Sequence, residues 1–233
     1  MKLKVCGMKY VNNIQEVVNL QSDYLGFIFY EKSKRNFEGI IPELPKSVKK
    51  TGVFVNEHIE IVISLVEEYQ LDALQLHGDE SVAYIKELQS QLAESNALLI
   101  EENKYQKKKK NNQFTANKKI EIIKVFGIKD AFNFDDLKPY LEVVDYFLFD
   151  TKGKERGGNG VQFDWSVLDS YPYEVPFFLS GGIGLKELDS VRSFLDKEAS
   201  KYCYALDVNS KFEIEPGKKD IVALKKFKQR LAV

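Results

Sequence analysis

The chain has 233 residues, of which 44% are hydrophobic and 30% are charged, and its formal net charge at pH 7 is -1. This length suits one sizeable core and is close to that of a single α/β barrel. The balanced charge argues against a nucleic-acid partner, and the lack of any apolar run as long as a membrane span argues against a membrane protein.

Short runs of β-branched, aromatic and other apolar residues recur along the chain and predict strands. The runs are Leu3–Cys6, Tyr24–Phe29, Gly52–Val55, Ala73–His77, Ile122–Phe126, Tyr146–Asp150, Pro176–Ser180 and Tyr204–Val208. Several are apolar almost throughout. This is typical of parallel strands covered on both faces, whereas half-solvated antiparallel strands alternate apolar and polar residues.

Amphipathic segments with helical spacing lie between most of these runs. They are Asn12–Leu20, Ile59–Tyr69, Ser81–Leu92, Ala131–Leu141, Leu185–Leu195 and a closing helix at Lys218–Leu231. The connections after the second and sixth strands are weaker. Alternation of strand and helix implies a parallel sheet with right-handed crossovers. The repeat favours an α/β fold of the (β/α)8 TIM-barrel type over an open doubly wound sheet, with residues 1–233 as a single domain.

One segment, Ser95–Lys119, interrupts this alternation and is rich in Lys and Asn. A basic patch for an anionic partner is one interpretation. The run is short and lacks interleaved aromatic residues, which favours a solvated insertion instead. It lies between a helix and the following strand, at the end of the barrel opposite the active site, so we expect no effect on catalysis.

Cysteine and histidine are scarce and isolated in this chain. Cys6 and Cys203 lie far apart, as do His58 and His77. This spacing predicts neither a disulfide framework nor a metal site. The first residues also lack the apolar core of a signal peptide, so we expect a cytoplasmic protein.

The carboxyl ends of barrel strands form the active site, which selects the candidate residues. Cys6, His77 and Asp150 close predicted strands, and Asp207 lies near the end of the last one. Cys203 precedes its strand and belongs at the opposite end. Each candidate also has a structural interpretation: a small buried apolar side chain for Cys6, a satisfied histidine for His77, and for Asp150 an ion pair with a neighbour such as Lys152.

Two loops at the same predicted face suggest a phosphate site. One, Ser180–Gly184, is glycine-rich and opens a helix, so its backbone N–H groups could approach an anion. The other, Asp207–Ser210, ends the eighth strand. Barrels frequently bind phosphate with the loops after strands seven and eight. A further loop, Lys154–Val161, could close over a substrate, and Arg35 could hold a carboxylate with two hydrogen bonds.

These segments, taken in order, resemble those of phosphoribosylanthranilate isomerases. The matching segments are KVCGM, GFIFYEKSKRNF, GVFVN, LQLHGDE, IKVFGI, FLFDTKGKERGGNGVQFDW, LSGGI and LDVNSKFEIEPGKKD, and they span nearly the whole chain except the Lys/Asn-rich insertion. The resemblance implies an intramolecular oxidoreductase of the aldose–ketose isomerase type that acts in tryptophan biosynthesis. It would convert N-(5-phosphoribosyl)anthranilate to 1-(2-carboxyphenylamino)-1-deoxyribulose 5-phosphate by an Amadori rearrangement, without metal or organic cofactor.

The resemblance also implies residue roles. Cys6 would be the general base and Asp150 the general acid, and the surroundings of Cys6 should lower its pKa. Arg35 would contact the anthranilate part. The remaining candidate substrate-binding residues, most of them in the two phosphate loops, are His77, Gly181, Gly182, Ile183, Asp207, Asn209 and Ser210. One residue departs from the family pattern, because Lys211 stands where the family usually has glycine.

Two alternatives remain from the sequence. The histidine-pathway aminoaldose isomerase performs the same rearrangement, but that family resembles a duplicated half-barrel and uses aspartate as its first-strand base. A barrel that binds phosphorylated ligands without catalysis is the second alternative. The expected partner is a small phosphorylated substrate, with no nucleic acid and no membrane, and the sequence leaves both a monomer and a homodimer open.

Overall fold

The computed structural model describes residues 1–106, 119–152 and 163–231. Eight parallel strands form a closed barrel in chain order. They are β1 Lys2–Val5, β2 Tyr24–Ile28, β3 Lys49–Phe54, β4 Ala73–Leu76, β5 Glu121–Ile128, β6 Tyr146–Thr151, β7 Phe177–Leu179 and β8 Cys203–Val208. The barrel closes where β8 pairs with β1, with Val5 opposite Val208. The predicted (β/α)8 fold is therefore confirmed.

Helices cover the outside of the barrel. The α-helices are α1 Val11–Asn19, α2 Ile59–Tyr69, α3 Val82–Gln106, α4 Leu188–Leu195 and α5 Ile221–Leu231, and the longer 3-10 helices are Phe134–Tyr140, Trp165–Ser170 and Glu198–Tyr202. In the described residues, no helix lies between β2 and β3, and a 3-10 helix precedes β7, as the weaker patterns there indicated. None of the described helices is both long enough and apolar enough to cross a membrane.

Four predicted helices differ from the observed ones, three of them between β4 and β8 and one at the C-terminus. The segment predicted at Ala131–Leu141 forms a 3-10 helix that contains Pro139, which lacks the N–H that a regular α-helix needs. The first turn of the segment at Leu185–Leu195 is also a 3-10 helix. The helix predicted after β4 was expected to end at Leu92 but continues to Gln106, so it includes the start of the Lys/Asn-rich insertion. Residues 107–118 lie outside the described part of the chain.

The C-terminal helix begins later than predicted because two residues before it form a strand. β9 (Glu213–Glu215) and β10 (Lys218–Lys219) make a small antiparallel hairpin after β8. The hairpin is bound to α1, where the Asn13 side chain donates to the Lys219 carbonyl and accepts from the Lys219 N–H. This pairing fixes Lys219 in an extended conformation, so the helix starts only at Ile221.

The barrel interior is apolar in its lower half and polar at the carboxyl ends of the strands. Inward-facing apolar side chains form one buried cluster, with members Tyr24, Ala73, Ile123, Val125, Leu148, Phe178 and Ala205. Buried polar groups lie nearer the carboxyl ends, among them Lys4, Asp150 and Asp207. Charges in an apolar interior are costly unless they are paired, so this change of character marks the end of the barrel where function is expected.

Candidate active site

Cys6 lies directly after β1, in the ring of strand ends. Its backbone N–H donates to the Val208 carbonyl of β8 at 2.9 Å, which continues the pairing that closes the barrel. The residue is 4% exposed. Gly26 of β2 lies beside it, and a Cβ atom added at Gly26 would be only 2.7 Å from the Cys6 Sγ. The sulfur therefore occupies the place that a side chain at residue 26 would need.

A buried ion pair lies directly below the thiol. The Lys4 Nζ donates to the Asp207 Oδ1 at 2.8 Å, and the two side chains are 0% and 5% exposed. The Ser180 hydroxyl donates to the other oxygen of Asp207 at 3.4 Å. The Lys4 ammonium group and the Cys6 thiol are also close enough to influence each other electrostatically. Burial lowers the pKa of Lys4, but the attraction of Asp207 and Cys6 outweighs burial and holds this pKa above its ordinary value.

The structure gives the Cys6 thiol a raised pKa, which differs from the expected lowered one. Burial is the largest cause, because a thiolate loses its hydration inside the barrel. The Asp207 carboxylate raises the pKa further, whereas the ammonium groups of Lys4 and Lys219 lower it. Cys203 lies at the start of β8, at the opposite end of the barrel as predicted, and burial raises the pKa of its thiol to about 12.

Asp150 lies in β6, on the same rim of the barrel. One of its oxygens accepts from the Thr151 N–H at 2.8 Å, and the other is 3.4 Å from the Nε2 of His77. The side chain beside this carboxylate is therefore His77, whereas the structural interpretation of the sequence suggested Lys152. Asp150 is 9% exposed, so it is largely buried at the rim. Both Asp150 and His77 act electrostatically on Asp207, which places them in one charged cluster.

The loop after β7 has the backbone that a phosphate site requires. Gly181 and Gly182 both have positive φ, 89° and 67°, a conformation that favours glycine. A Cβ at Gly181 would lie 2.3 Å from the Thr151 hydroxyl oxygen, so the loop approaches β6 more closely than a side chain allows. Ile183 is buried and anchors the loop. Backbone N–H groups in such glycine turns form concave sites for anions.

The loop after β8 lies beside it. Asn209 and Ser210 are half-buried, and a short 3-10 helix spans Ser210–Phe212. Lys211 packs against Gly184 of the preceding loop, and its ammonium nitrogen is 4.0 Å from a Glu187 oxygen. Lys211 thus links the two candidate phosphate loops from the side.

Arg35 lies at the mouth but is held by a protein carboxylate. Its Nε and Nη2 donate to both oxygens of Glu213 at 2.6–3.0 Å. Its side chain crosses Gly7, where an added Cβ would be 2.8 Å from the Arg35 Cδ. The Lys219 Nζ donates to Glu213 and to the Asn209 side chain, both at 2.7 Å. This cluster connects the predicted anthranilate-binding arginine to the β8 loop.

Charge balance in this cluster sets the pKa values of its members. Burial alone would raise the pKa of Glu213, but hydrogen bonds from Arg35 and the neighbouring Lys219 hold it below its ordinary value. Burial has the largest effect on the pKa of Lys219 and lowers it. The positive charge of Arg35, beside the same carboxylate, lowers it further, so the pKa of Lys219 falls to about 8.

Several residues of the site were not predicted from the sequence. They are Lys4, Gly26, Thr151, Glu213 and Lys219. A signal existed for Lys4, since side chains alternate along a strand and Lys4 must share the inner face with Cys6. The predicted loop Lys154–Val161 lies outside the described residues. Within the part of the chain that the structure covers, no group of His, Cys, Asp or Glu is placed to hold a metal ion.

Comparison with known proteins now identifies the family. The family model for N-(5'-phosphoribosyl)anthranilate isomerase matches residues 3–116 and 105–230. An N-(5'-phosphoribosyl)anthranilate isomerase from Parabacteroides distasonis is 39% identical over 99% of this chain and 93% of its own. The chain belongs to this isomerase family. The predicted family is therefore confirmed.

Solved structures of phosphoribosylanthranilate isomerases agree over the full chain. The Thermotoga maritima enzyme is 31% identical, with a TM-score of 0.71, and covers 100% of this chain and 98% of its own. A second structure, 29% identical with a TM-score of 0.68 and the same coverage, is a complex with reduced 1-(o-carboxyphenylamino)-1-deoxyribulose 5-phosphate. That isomerase thus binds a reduced form of the product expected from this chain.

Proposed function

We propose that this isomerase converts N-(5-phosphoribosyl)anthranilate to 1-(2-carboxyphenylamino)-1-deoxyribulose 5-phosphate, with Cys6 as general base and Asp150 as general acid. The observation that carries the proposal is their placement, because Cys6 directly follows β1 and Asp150 lies near the carboxyl end of β6, at the same rim of the barrel. Asp150 has His77 beside it, and Cys6 has a buried lysine beside it. An acid and a base with separate partners suit a reaction that needs a proton delivered at one atom and removed at another.

The reaction proceeds in two proton-transfer stages. Asp150 donates its proton to the furanose ring oxygen, the C1′–O bond breaks, and the nitrogen lone pair forms a protonated Schiff base. The positive charge on nitrogen acidifies the C2′–H bond, and the Cys6 thiolate removes that proton to give an enolamine. Tautomerisation then gives the aminoketose. Oxidation at C2′ balances reduction at C1′ within one molecule, which is the sense in which the enzyme is an intramolecular oxidoreductase and needs no external redox cofactor.

Substrate binding follows from the polar groups around the mouth. Gly181, Gly182 and the Asn209–Ser210 segment would hold the phosphate, and Ile183 and Asp207 would support these loops from below. Arg35 would bind the anthranilate carboxylate while Glu213 keeps the guanidinium in place. The proposal treats residues 1–233 as one domain of a cytoplasmic biosynthetic enzyme, active as a monomer or a homodimer on a small phosphorylated substrate.

The test is direct turnover. The full chain is mixed with freshly generated N-(5-phosphoribosyl)anthranilate, and loss of substrate fluorescence is followed. Wild type is expected to consume it, and Cys6→Ser and Asp150→Asn are each expected to reduce kcat by roughly 10²–10⁴-fold, because each removes one proton-transfer group. Cys203→Ser, at the other end of the barrel, is the matched control for Cys6→Ser and should keep its kcat.

Failure of the proposal would be unambiguous. A folded wild type without turnover would contradict the activity, and a Cys6→Ser or Asp150→Asn variant with near-normal kcat would remove that residue from its role. The histidine-pathway aminoaldose substrate serves as a second substrate in the same assay. Faster turnover of that compound would favour the alternative isomerase.

A further inference from the structure

Lys4 is a buried cation that takes no direct part in the proton transfers proposed for Cys6 and Asp150. Its side chain is 0% exposed. Lysine is almost never fully buried unless it is paired, because the ammonium group loses its hydration. A well-packed apolar side chain of similar volume is frequently as stable as a buried ion pair. A purely stabilising role therefore does not account for a lysine at this place.

The position of Lys4 relates it to Cys6. Cys6 continues the pairing of β1 with β8 two positions after Lys4, so both side chains point into the barrel. The Lys4 Nζ donates to Asp207 from β8 at 2.8 Å, and its positive charge acts electrostatically on the thiol. The sulfur cannot move away from the ammonium group toward β2, since it already rests against Gly26.

We propose that Lys4 is a positioning residue whose buried ammonium group stabilises the thiolate of Cys6, and that Asp207 holds this ammonium group in place. The inference rests on the proposed function, in which Cys6 acts as the base. A thiolate in an apolar barrel needs a fixed opposite charge, and a neighbouring buried cation supplies it without solvent.

Other charged groups also face this thiol and modify the effect. Lys219 of β10 is a second cation, and Arg35 reaches the cluster through Glu213. Asp207 is the nearby anion. Gly26 of β2 brings no charge, and the Asp150 carboxylate of β6 and His77 after β4 act on Asp207 rather than directly on Cys6 in the described contacts. Of these groups, Lys4 has the largest electrostatic effect on the thiol, and its Nζ is also paired directly with the Asp207 carboxylate.

Substitutions of Lys4 and Asp207 can distinguish an electrostatic role of Lys4 from a purely structural one. Lys4→Met and Asp207→Asn break the same ion pair, so both variants lose stability in a similar way. Their effects on the thiol should be opposite, since Lys4→Met removes a cation and Asp207→Asn removes an anion. A lysine that only held β1 to β8 would move the thiol titration in the same direction in both variants, or not at all.

The experiment titrates Cys6 in the absence of substrate. The full chain carries Cys203→Ser, and thiolate ultraviolet absorbance is followed against pH, with a Cys6→Ser chain subtracted to remove the tyrosine signal. Carboxymethylation of Cys6, located by peptide mass spectrometry, is the second measurement. Lys2→Met is the matched control, because Lys2 is also on β1 but pairs with Asp23 at the other end of the strand.

Lys4→Met is expected to raise the titration midpoint of Cys6 by roughly one to three pH units. The fraction of Cys6 present as thiolate at neutral pH should therefore fall by about tenfold or more. Asp207→Asn should lower the midpoint, and Lys2→Met should leave it unchanged. The double variant Lys4→Met/Asp207→Asn should titrate above wild type, because the electrostatic effect of Lys4 on the thiol is larger than that of Asp207. If Lys4→Met does not fold, the Asp207→Asn and double variants still give opposite shifts.

Shifts of both single variants in one direction, or an unchanged midpoint in Lys4→Met, would overturn the inference. Failure of the proposed function is a different result, since it would appear as absent turnover in folded wild type or as near-normal turnover in Cys6→Ser, whatever the titration shows. In the turnover assay, Lys4→Met should lower kcat with little change in KM and recover part of it at higher pH. A variant that had only lost packing would not recover with pH.

Discussion

At the scale of single residues, Gly26 determines where the Cys6 sulfur can be. A methyl group at residue 26 would lie 2.7 Å from Sγ and 3.0 Å from the Cys6 Cα, so the strand or the thiol must shift. We expect Gly26→Ala to lower kcat at least about tenfold, because sub-ångström misplacement of a catalytic group is costly. Overpacking should also cost about 1–3 kcal/mol of unfolding free energy. Turnover and thermal unfolding measure the two effects.

Gly52 provides the matched control for that variant. It is on the neighbouring strand β3, and a Cβ there would meet side-chain atoms of Leu71 and Phe54 rather than the site. Gly52→Ala should therefore lose stability and keep its kcat. Equal kcat in Gly26→Ala and wild type would show that the thiol does not need this position.

Lys219 is a residue whose proton couples stability to pH. Its pKa in the folded chain is about 8, against 10.5 ordinarily, because burial disfavours the ammonium group. Below pH 8 the group is protonated in the folded and unfolded states alike. Between 8 and 10.5 only the unfolded chain keeps this proton, so the contribution of Lys219 to the unfolding free energy rises with pH. The rise reaches about 3 kcal/mol in this window.

Lys219→Met tests this coupling. Urea unfolding is measured at several pH values for wild type and variant, so that tyrosines and other groups cancel in the difference. The stability of wild type relative to the variant should increase from pH 8 to pH 10. A difference that is flat over this range would mean that Lys219 keeps its proton in the folded chain.

At the scale of elements, the β9–β10 hairpin connects substrate binding to the frame. Glu213 of β9 receives both the Arg35 guanidinium and the Lys219 ammonium group, so its charge is already neutralised before substrate arrives. Glu213 therefore repels a substrate carboxylate little and mainly fixes Arg35. Releasing a long side chain from one rotamer costs about 0.5–1.5 kcal/mol when it must be ordered again on binding.

We expect Glu213→Gln to raise KM roughly threefold to tenfold, with a smaller effect on kcat, because Arg35 must be ordered by the substrate itself. Glu215→Gln is the matched control, since Glu215 is on the same strand and pairs only with exposed Lys218 at 3.6 Å. Steady-state kinetics on both variants decide the matter. A lower KM in Glu213→Gln would mean that Glu213 competes with substrate for Arg35.

Strands and helices could be predicted from the sequence where the local residue pattern matches the burial of the element in the folded chain. The parallel strands were found because both of their faces are buried and their runs are apolar. The hairpin was missed because Lys218 and Lys219 continue the polar–apolar pattern of the following helix. Their extended conformation depends on Asn13, 206 positions earlier in the chain, which no local pattern records.

At the scale of the whole molecule, closure of the barrel explains which site residues could be predicted. Parallel strands end at one rim, so Cys6, His77 and Asp150 could be placed together from strand position alone. Their partners could not. The Lys4–Asp207 pair joins residues 203 positions apart, and it exists only because β8 returns to β1. Contacts of this kind depend on the register between neighbouring strands. The alternation of side chains along a strand shows which face a residue is on, but not which residue of the next strand lies opposite it.

The same closure predicts that the Lys/Asn-rich insertion is remote from catalysis. α3 starts after the carboxyl end of β4 and its 25 residues extend about 37 Å, longer than any strand of the barrel, so it passes the amino-terminal rim. β5 then begins at that rim with Glu121, which pairs with Lys49 there. Gln106 and Lys119, the described residues on either side of 107–118, therefore lie on the side opposite Cys6 and Asp150.

Replacing residues 107–118 with a glycine–serine linker of equal length should leave kcat and KM within about twofold of wild type, because the described residues on either side of it lie away from the mouth and exposed charges beyond about 10 Å are largely screened at physiological salt. Equal length keeps the connection between α3 and β5, so a change in rate cannot come from a strained loop. A control with only Lys107–Lys110 changed to glutamine isolates the charge. A loss of tenfold or more in kcat/KM, absent from the glutamine control, would assign the segment a role in the active enzyme.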